Sequence, residues 1–181
     1  MEPGKASVQG KKSVLDIAAI RAAASKYDDG AVTDGYKGNR AEILAMLNEA
    51  LATEIVCMLR YRRHYYTAKG IDNVSIKAEF LEHANDEEEH ANTIAERIVQ
   101  LNGEPDLDPV HLAEKSIADY DESTDIREMI KANLVAERLA IEAYRQMIER
   151  IGDTDPTTTL MLTEVLTKEE EHAEDMRDLL G

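Results

Sequence analysis

Five consecutive residues, Glu-Glu-Glu-His-Ala, occur twice in this chain, at positions 87–91 and again at 169–173. Each copy places a glutamate three residues before a histidine, and on an α-helix that spacing points both side chains the same way. Each copy also follows a Glu and a Tyr that are seven residues apart, at positions 54 and 61 and at 137 and 144. These matched sets predict a bundle of two similar halves, each giving Glu plus Glu-x-x-His to one two-metal carboxylate site.

Each of four glycines follows a long segment whose apolar residues recur with helical spacing. We expect each glycine to end its helix in the left-handed conformation. They are Gly70, Gly103, Gly152 and Gly181. Four helices follow from this spacing. Their predicted bounds are roughly 40–69, 74–102, 125–151 and 156–180. Asp155 and Pro156 are suited to be the N-cap and the first residue of the last helix.

The connection between the second and third predicted helices, residues 103–124, is long enough to run the full length of a bundle. Such a crossover makes those two helices parallel, whereas the short connections make the other neighbours antiparallel. The sequence thus predicts an all-α protein, a four-helix bundle with one long crossover between the second and third helices. We assign residues 39–181 to the bundle and residues 1–38 to an N-terminal extension.

Apolar residues recur in steps of three and four along each predicted helix and define the side that faces the core. In the first helix, Leu51, Glu54 and Met58 follow one another on that side. The other predicted ligands occupy equivalent positions in their own helices. We expect the six candidate ligands, all facing the core, to be Glu54, Glu87, His90, Glu137, Glu169 and His172.

Burying four carboxylates together is costly unless their charge is neutralised. Two divalent cations would balance four negative charges, and two neutral imidazoles would complete the coordination. Oxygen and nitrogen ligands without a thiolate favour iron or manganese over copper or structural zinc, although affinity alone does not exclude zinc. The sequence therefore predicts two metal ions per chain, iron first and manganese second.

The net charge of −16 argues against broad nucleic-acid binding, because a phosphate backbone attracts clustered Lys and Arg. Residues 1–40 carry a net charge of +2 and the remainder carries −18. In the extension, the apolar residues from Val14 to Ile20 fit a short helix docked on a neighbouring subunit. Lys5, Lys11 and Lys12 offer only a weak alternative footprint for DNA. We expect no nucleic-acid partner.

The chain has no apolar run long enough to span a membrane, and residues 1–25 lack the apolar core of a secretory signal. Its only cysteine is Cys57, which excludes a disulfide framework within the chain. Together these features predict a cytoplasmic protein without a membrane partner.

Four segments carry a resemblance to the ferritin-like di-iron carboxylate family, closest to its bacterioferritin branch and covering about 140 residues from Asn39 onward. They are LNEALATEIVCMLRY, EFLEHANDEEEHANTIAERIVQLNGEP, NLVAERLAIEAYRQMI and EVLTKEEEHAEDMRDLL. The resemblance implies that Glu54 and Glu137 are terminal ligands and that Glu87 and Glu169 bridge the metals. It assigns one imidazole to each metal, from His90 and His172. Tyr61 matches a tyrosine close to the di-iron centre.

Two departures from bacterioferritin change what the resemblance implies. Glu88 occupies the position at which bacterioferritins place their haem-binding methionine, so no haem is expected. The chain ends nine residues after His172, which leaves no room for the fifth helix of 24-subunit shells. A homo-oligomer of 12 subunits is therefore favoured over one of 24, as in a bacterioferritin-related, miniferritin-type group.

Three classes of function fit these features. The first is a ferroxidase that oxidises Fe(II) with O2 or H2O2 in an iron-storing, detoxifying cage. The second is a di-manganese catalase or another peroxide-consuming enzyme that stores no mineral. The third, disfavoured by the matched ligand sets, is a non-catalytic assembly module.

Three further residues have open roles. Tyr61 either supplies an electron, orients a ligand, or is an ordinary buried tyrosine. Cys57 is either a redox participant or, as is usual inside a helix, a small apolar residue. His83 lies one turn before Glu87, where it can support a ligand or pass on metal ions.

Overall fold

The computed structural model describes residues 13–26, 30–70 and 73–181, and within them all regular structure is helical. Four long helices form the bundle and two short ones lie outside its regular core. In chain order they are α1 (Ile17–Ala23), α2 (Arg40–Thr67), α3 (Val74–Gln100), α4 (Pro109–Lys115), α5 (Ile126–Ile151) and α6 (Pro156–Asp178). The predicted all-α bundle with its long crossover is confirmed, and the long helices begin and end within two residues of the predicted bounds.

Contacts between the helices establish their directions. Glu54 and Tyr61 of α2 contact His90 and His83 of α3, respectively, and Tyr61 also donates to Glu137 of α5. Tyr144, seven residues after Glu137 on α5, donates a hydrogen bond to Glu54 of α2. Helix α2 is therefore antiparallel to both α3 and α5, and α3 and α5 run parallel, as the long crossover requires.

The crossover is not structureless, because it contains α4. Asp108 caps this helix by accepting a hydrogen bond from the backbone N–H of Val110, and Pro109 occupies its first turn. Proline is favoured there since its missing N–H would have no helical partner. Helix α4 packs on α2.

The prediction that Gly103 ends its helix in the left-handed conformation is wrong. The left-handed residue that ends α3 is Asn102, with φ of 56°, and not Gly103. The N–H of Gly103 donates to the carbonyl of Ile98 and that of Asn102 to the carbonyl of Val99, which is the Schellman arrangement. Gly103 is required for a different reason: a β-carbon there would collide with the side chain of Leu44.

The beginning of α6 is held by a buried polar network. Asp155 caps the helix, as predicted, by accepting from the backbone N–H of Thr158. Its carboxylate also accepts from both sides: the guanidinium of Arg97 lies 2.9 Å away and the hydroxyl of Tyr36 2.8 Å away. Tyr36 belongs to the predicted extension, so part of that segment packs against the bundle.

Among the described residues, helix α1 contributes no buried side chain. Val14, Leu15, Ile17 and Ile20 are all exposed. Lys5, Lys11, Lys12 and residues 27–29 lie outside the described residues, so the predicted alternatives for the extension, a neighbouring subunit or DNA, remain predictions.

Candidate metal centre

The six candidate ligands come together in the middle of the bundle, and every one of them is buried. Two groups of four residues each offer ligand atoms that lie within 4.8 Å of one another. We call Glu54 and His90 the first half-site, Glu137 and His172 the second half-site, and Glu87 and Glu169 the shared pair. The shared pair belongs to both groups of four, so the geometry supports two adjacent positions for a cation.

The imidazole of the first half-site turns one nitrogen toward three carboxylates. His90 Nδ1 lies 3.1 Å from Glu54 Oε2, 2.9 Å from Glu169 Oε1 and 3.6 Å from Glu87 Oε2. A single nitrogen can satisfy only one such oxygen with a hydrogen bond, but a cation among them can satisfy all of them.

The second half-site repeats this arrangement with slightly longer distances. His172 Nδ1 lies 3.7 Å from Glu87 Oε1, 4.0 Å from Glu137 Oε2 and 4.0 Å from Glu169 Oε2. The matched sequence repeats thus produce a matched pair of sites, in which each histidine presents Nδ1.

Several buried ligand atoms have no hydrogen-bond partner among the described residues. They include Glu87 Oε1, Glu137 Oε2 and His172 Nδ1. Glu169 Oε1 is close to His90 Nδ1 but outside hydrogen-bond geometry. Orphaned polar atoms are costly in a protein interior. Two divalent cations would satisfy these atoms, and the mixed oxygen and nitrogen donors suit iron or manganese.

Electrostatics lead to the same conclusion. Burial, followed by the negative charge on Glu87, raises the pKa of Glu54 to about 8 and the pKa of Glu169 well above its usual range. Burial opposes protonation of His172, but the nearby carboxylate of Glu87 outweighs it and raises the pKa of this histidine to about 9. In the absence of metal, protons therefore take over part of the neutralising role of the cations.

Two buried tyrosines cross between the halves and donate hydrogen bonds to the carboxylates of Glu137 and Glu54. The hydroxyl of Tyr61, on α2, donates to Glu137, and the hydroxyl of Tyr144, on α5, donates to Glu54. Each tyrosine thus fixes the ligand of the opposite helix. This observation favours a ligand-orienting role for Tyr61 over an unrelated packing role, although its electron-donating role stays a prediction.

The residues that precede Glu87 and Glu169 differ, and they support the two halves of the centre unequally. Asp86 Oδ2 lies 3.2 Å from His172 Nε2 and can hold that ring in place. Lys168, the equivalent residue in the other half, pairs instead with Glu171 at 2.6 Å.

A pocket of about 210 Å³ opens between α3 and α6 and is lined by His90 and Met161 together with the charged residues Asp86, Glu164 and Lys168. One of the candidate ligands, His90, therefore lies on the wall of a pocket that is open to solvent. Small reactants can approach the first half-site through it.

Cys57 and Glu88 have simpler surroundings. Cys57 is buried against Ala118 and Ala136, and burial raises the pKa of its thiol, so it has the environment of a small apolar residue. Glu88 is on the surface and pairs with Arg62 at 2.6 Å. The expected absence of haem stays a prediction.

Comparison with known proteins identifies the family. Residues 44–181 match the model of the ferritin-like domain. The chain belongs to the ferritin-like family. The resemblance inferred from the four sequence segments is therefore confirmed. No described helix of this ferritin-like chain is long and apolar enough to cross a membrane.

Relatives of the ferritin-like chain fall in two named groups. A nutrient stress-induced DNA-binding protein of Synechococcus is 30% identical over 138 residues, which cover 74% of this chain and 77% of the relative. A bacterioferritin of Desulfovibrio desulfuricans is 28% identical over 147 residues, covering 74% and 73%. Among solved structures, a dodecameric thioferritin of Bacteroides fragilis, described as bacterioferritin-related, aligns with a TM-score of 0.76 at 32% identity. That alignment covers 80% of this chain and 87% of the other.

Proposed function

We propose that this protein is a ferroxidase that oxidises Fe(II) at the intrasubunit centre with O2 or H2O2 and stores or detoxifies the resulting iron. The observation that carries the proposal is the pair of buried half-sites that share Glu87 and Glu169. In this assignment Glu54 and Glu137 bind one iron each, the shared pair bridges the two, and His90 and His172 each bind one iron through Nδ1.

Two ferrous ions held side by side supply two electrons to one oxidant molecule, which avoids the one-electron path that releases hydroxyl radical. The protein prepares this step by fixing the ligands. Tyr61 and Tyr144 hold the terminal carboxylates, and Asp86 holds His172.

The ferrous substrate and the oxidant would enter through the pocket that His90 lines. Asp86, Glu89 and Glu164 give its wall a negative charge, which raises the local concentration of a divalent cation. A di-manganese catalase would use the same ligands, and the choice of metal separates the two functions.

We further propose that the protein works as a homo-oligomer of 12 subunits in the cytoplasm. The dodecameric bacterioferritin-related protein at 32% identity supports this size. Sedimentation of the full chain should give a mass near 12 times 20.2 kDa, and a mass near 24 times that value would contradict it.

Tyr61→Phe and Tyr144→Phe should each slow Fe(II) oxidation by about 10-fold, because each removes one hydrogen bond that orients a terminal ligand. Stopped-flow ferric absorbance measures the rates of both. Similar losses support orientation as the role of both residues. A complete loss with Tyr61→Phe beside a normal rate with Tyr144→Phe would instead assign Tyr61 to electron transfer.

DNA binding is a property of the named Synechococcus relative, and we propose that this chain lacks it. A strongly acidic body repels phosphate, and the described residues of the extension add few cations. Duplex DNA mixed with the full chain at low salt should migrate unretarded in a gel. Retardation that disappears on replacing Lys5, Lys11 and Lys12 with Gln would overturn this expectation.

A further inference from the structure

A second cluster of ligand types lies next to the centre, on the surface between α3 and α6. His83 Nε2 is 3.3 Å from Glu79 Oε1 and 3.5 Å from Asp175 Oδ2. The ligand atoms of all three residues lie within 4.8 Å of one another. His83 is 2% exposed, whereas the side chains of Glu79 and Asp175 are 33% and 51% exposed. The cluster is therefore anchored in the core and open to solvent on one side.

The hydrogen bond to Tyr61 involves only Nδ1 of the His83 ring. The Tyr61 hydroxyl has one proton, and it donates this proton to Glu137. His83 Nδ1 lies 3.1 Å from the same hydroxyl oxygen, so Nδ1 must be the donor of that second hydrogen bond. A neutral imidazole protonated on Nδ1 presents a lone pair on Nε2. That lone pair points toward Glu79 and Asp175.

In this neutral form, the Nε2 lone pair and the carboxylates of Glu79 and Asp175 face one another. Among the described residues, no Lys or Arg pairs with the carboxylate of Glu79 or of Asp175. Burial first, and then the negative charge on Asp175, raise the pKa of Glu79. One imidazole nitrogen and two carboxylates that lack a Lys or Arg partner among the described residues are a ligand set suited to a cation.

We propose that Glu79, His83 and Asp175 form a third divalent-cation site that takes a first-row transition metal such as Fe(II). It lies beside the second half-site, whose Glu137 and His172 also have ligand atoms within 4.8 Å of His83. Three protein ligands and an open side leave the remaining coordination positions to water. The His83 ring stacks on the His172 ring with centres 4.0 Å apart. A ligand of the third site is therefore in direct contact with a ligand of the second half-site. It is placed to hold a ferrous ion between solvent and the centre.

Zinc is a suitable probe, because it has no redox chemistry and binds the same ligand types. Crystals of the full chain soaked in Zn(II) should give an anomalous peak about 2.1 Å from His83 Nε2, flanked by Glu79 and Asp175. Titration of the metal-free protein should give three zinc ions per chain. Replacement of both carboxylates, in Glu79→Gln/Asp175→Asn, should remove that peak and reduce the stoichiometry to two.

The matched control replaces two exposed acidic neighbours, in Glu82→Gln/Glu174→Gln, and should retain all three ions. Absence of the peak in the wild-type protein, or an unchanged stoichiometry in the Glu79/Asp175 variant, would overturn the third site. Protonated His83 forming ordinary ion pairs would give that result.

Failure of the third site is distinguishable from failure of the proposed function. Glu169→Gln should weaken zinc binding at the two half-sites and leave the peak at His83. Two zinc ions at the centre with none at His83 would overturn only the third site. One zinc ion at His83 with none at the centre would overturn only the two-metal assignment.

Discussion

Glu169→Gln should slow Fe(II) oxidation by at least about 100-fold, because residues that merely support a metal ligand already contribute about 10- to 100-fold. Glu169 lies between the two half-sites and is shared by both. The substitution keeps the shape of the side chain but removes the charge that would hold two cations together. Stopped-flow measurement of ferric absorbance after mixing with O2 or H2O2 gives the rate.

The sequence provides a matched control in the next residue. Glu170 is exposed and pairs with Arg145, so Glu170→Gln should leave the oxidation rate unchanged. In the other copy of the repeat, Glu87→Gln and Glu88→Gln should behave in the same contrasting way. Circular dichroism should report an unchanged helical content for all four variants, since glutamine keeps the size and shape of glutamate at each position. Rapid oxidation by both Glu87→Gln and Glu169→Gln would refute the ligand assignment.

Asp155→Ala should reduce the free energy of unfolding by about 3–5 kcal/mol, the usual consequence of leaving a buried charge without its partner. The variant leaves the Arg97 guanidinium unpaired and removes the cap of α6 and the acceptor of the Tyr36 hydroxyl. Denaturant unfolding of the metal-free chain measures the loss. Asp153→Ala, two residues earlier and exposed, is the control and should change little.

The contribution of Asp155 to the free energy of unfolding should depend on pH. Burial acts to raise the pKa of Asp155, but hydrogen bonds from Thr158 and Tyr36 and the charge of Arg97 outweigh it, and the pKa falls below its ordinary value of 3.8. A lowered carboxyl pKa stabilises the folded state above the unfolded pKa, and this stabilisation disappears as the pH falls through the folded value. The difference between wild type and Asp155→Ala should thus shrink below about pH 4. A difference that grows on acidification would exclude this ion pair as its source.

The repeats and the core-facing positions were sufficient to predict the bundle and its candidate ligands, because spacing along a helix determines the direction in which each side chain points. Glu87 and His90 share a side of α3 for that reason. Capping by Asp155 is equally local, since it involves only the next three residues.

Contacts between different helices could not be predicted from the spacing of residues in the sequence. No spacing rule connects Asp155 to Arg97, or His83 to Asp175, since each pair joins different helices. Even so, Glu79 is four residues before His83 and Asp175 is three after His172, and those intervals on a common side could have signalled the third site. Asn102 adopts the left-handed conformation because an asparagine side chain tolerates it. At Gly103, a β-carbon would instead meet the side chain of Leu44.

The most direct test of the two-metal centre is anaerobic loading of the metal-free protein with Fe(II), followed by O2 or H2O2 while oxidant consumption per iron is measured. The account predicts a fast phase that saturates near two irons per chain, with one H2O2 consumed for every two irons, and then slow mineral growth. The faster oxidant identifies the physiological task. Oxidation no faster than in buffer, or peroxide dismutation only after manganese is supplied, would contradict the ferroxidase assignment and favour the catalase.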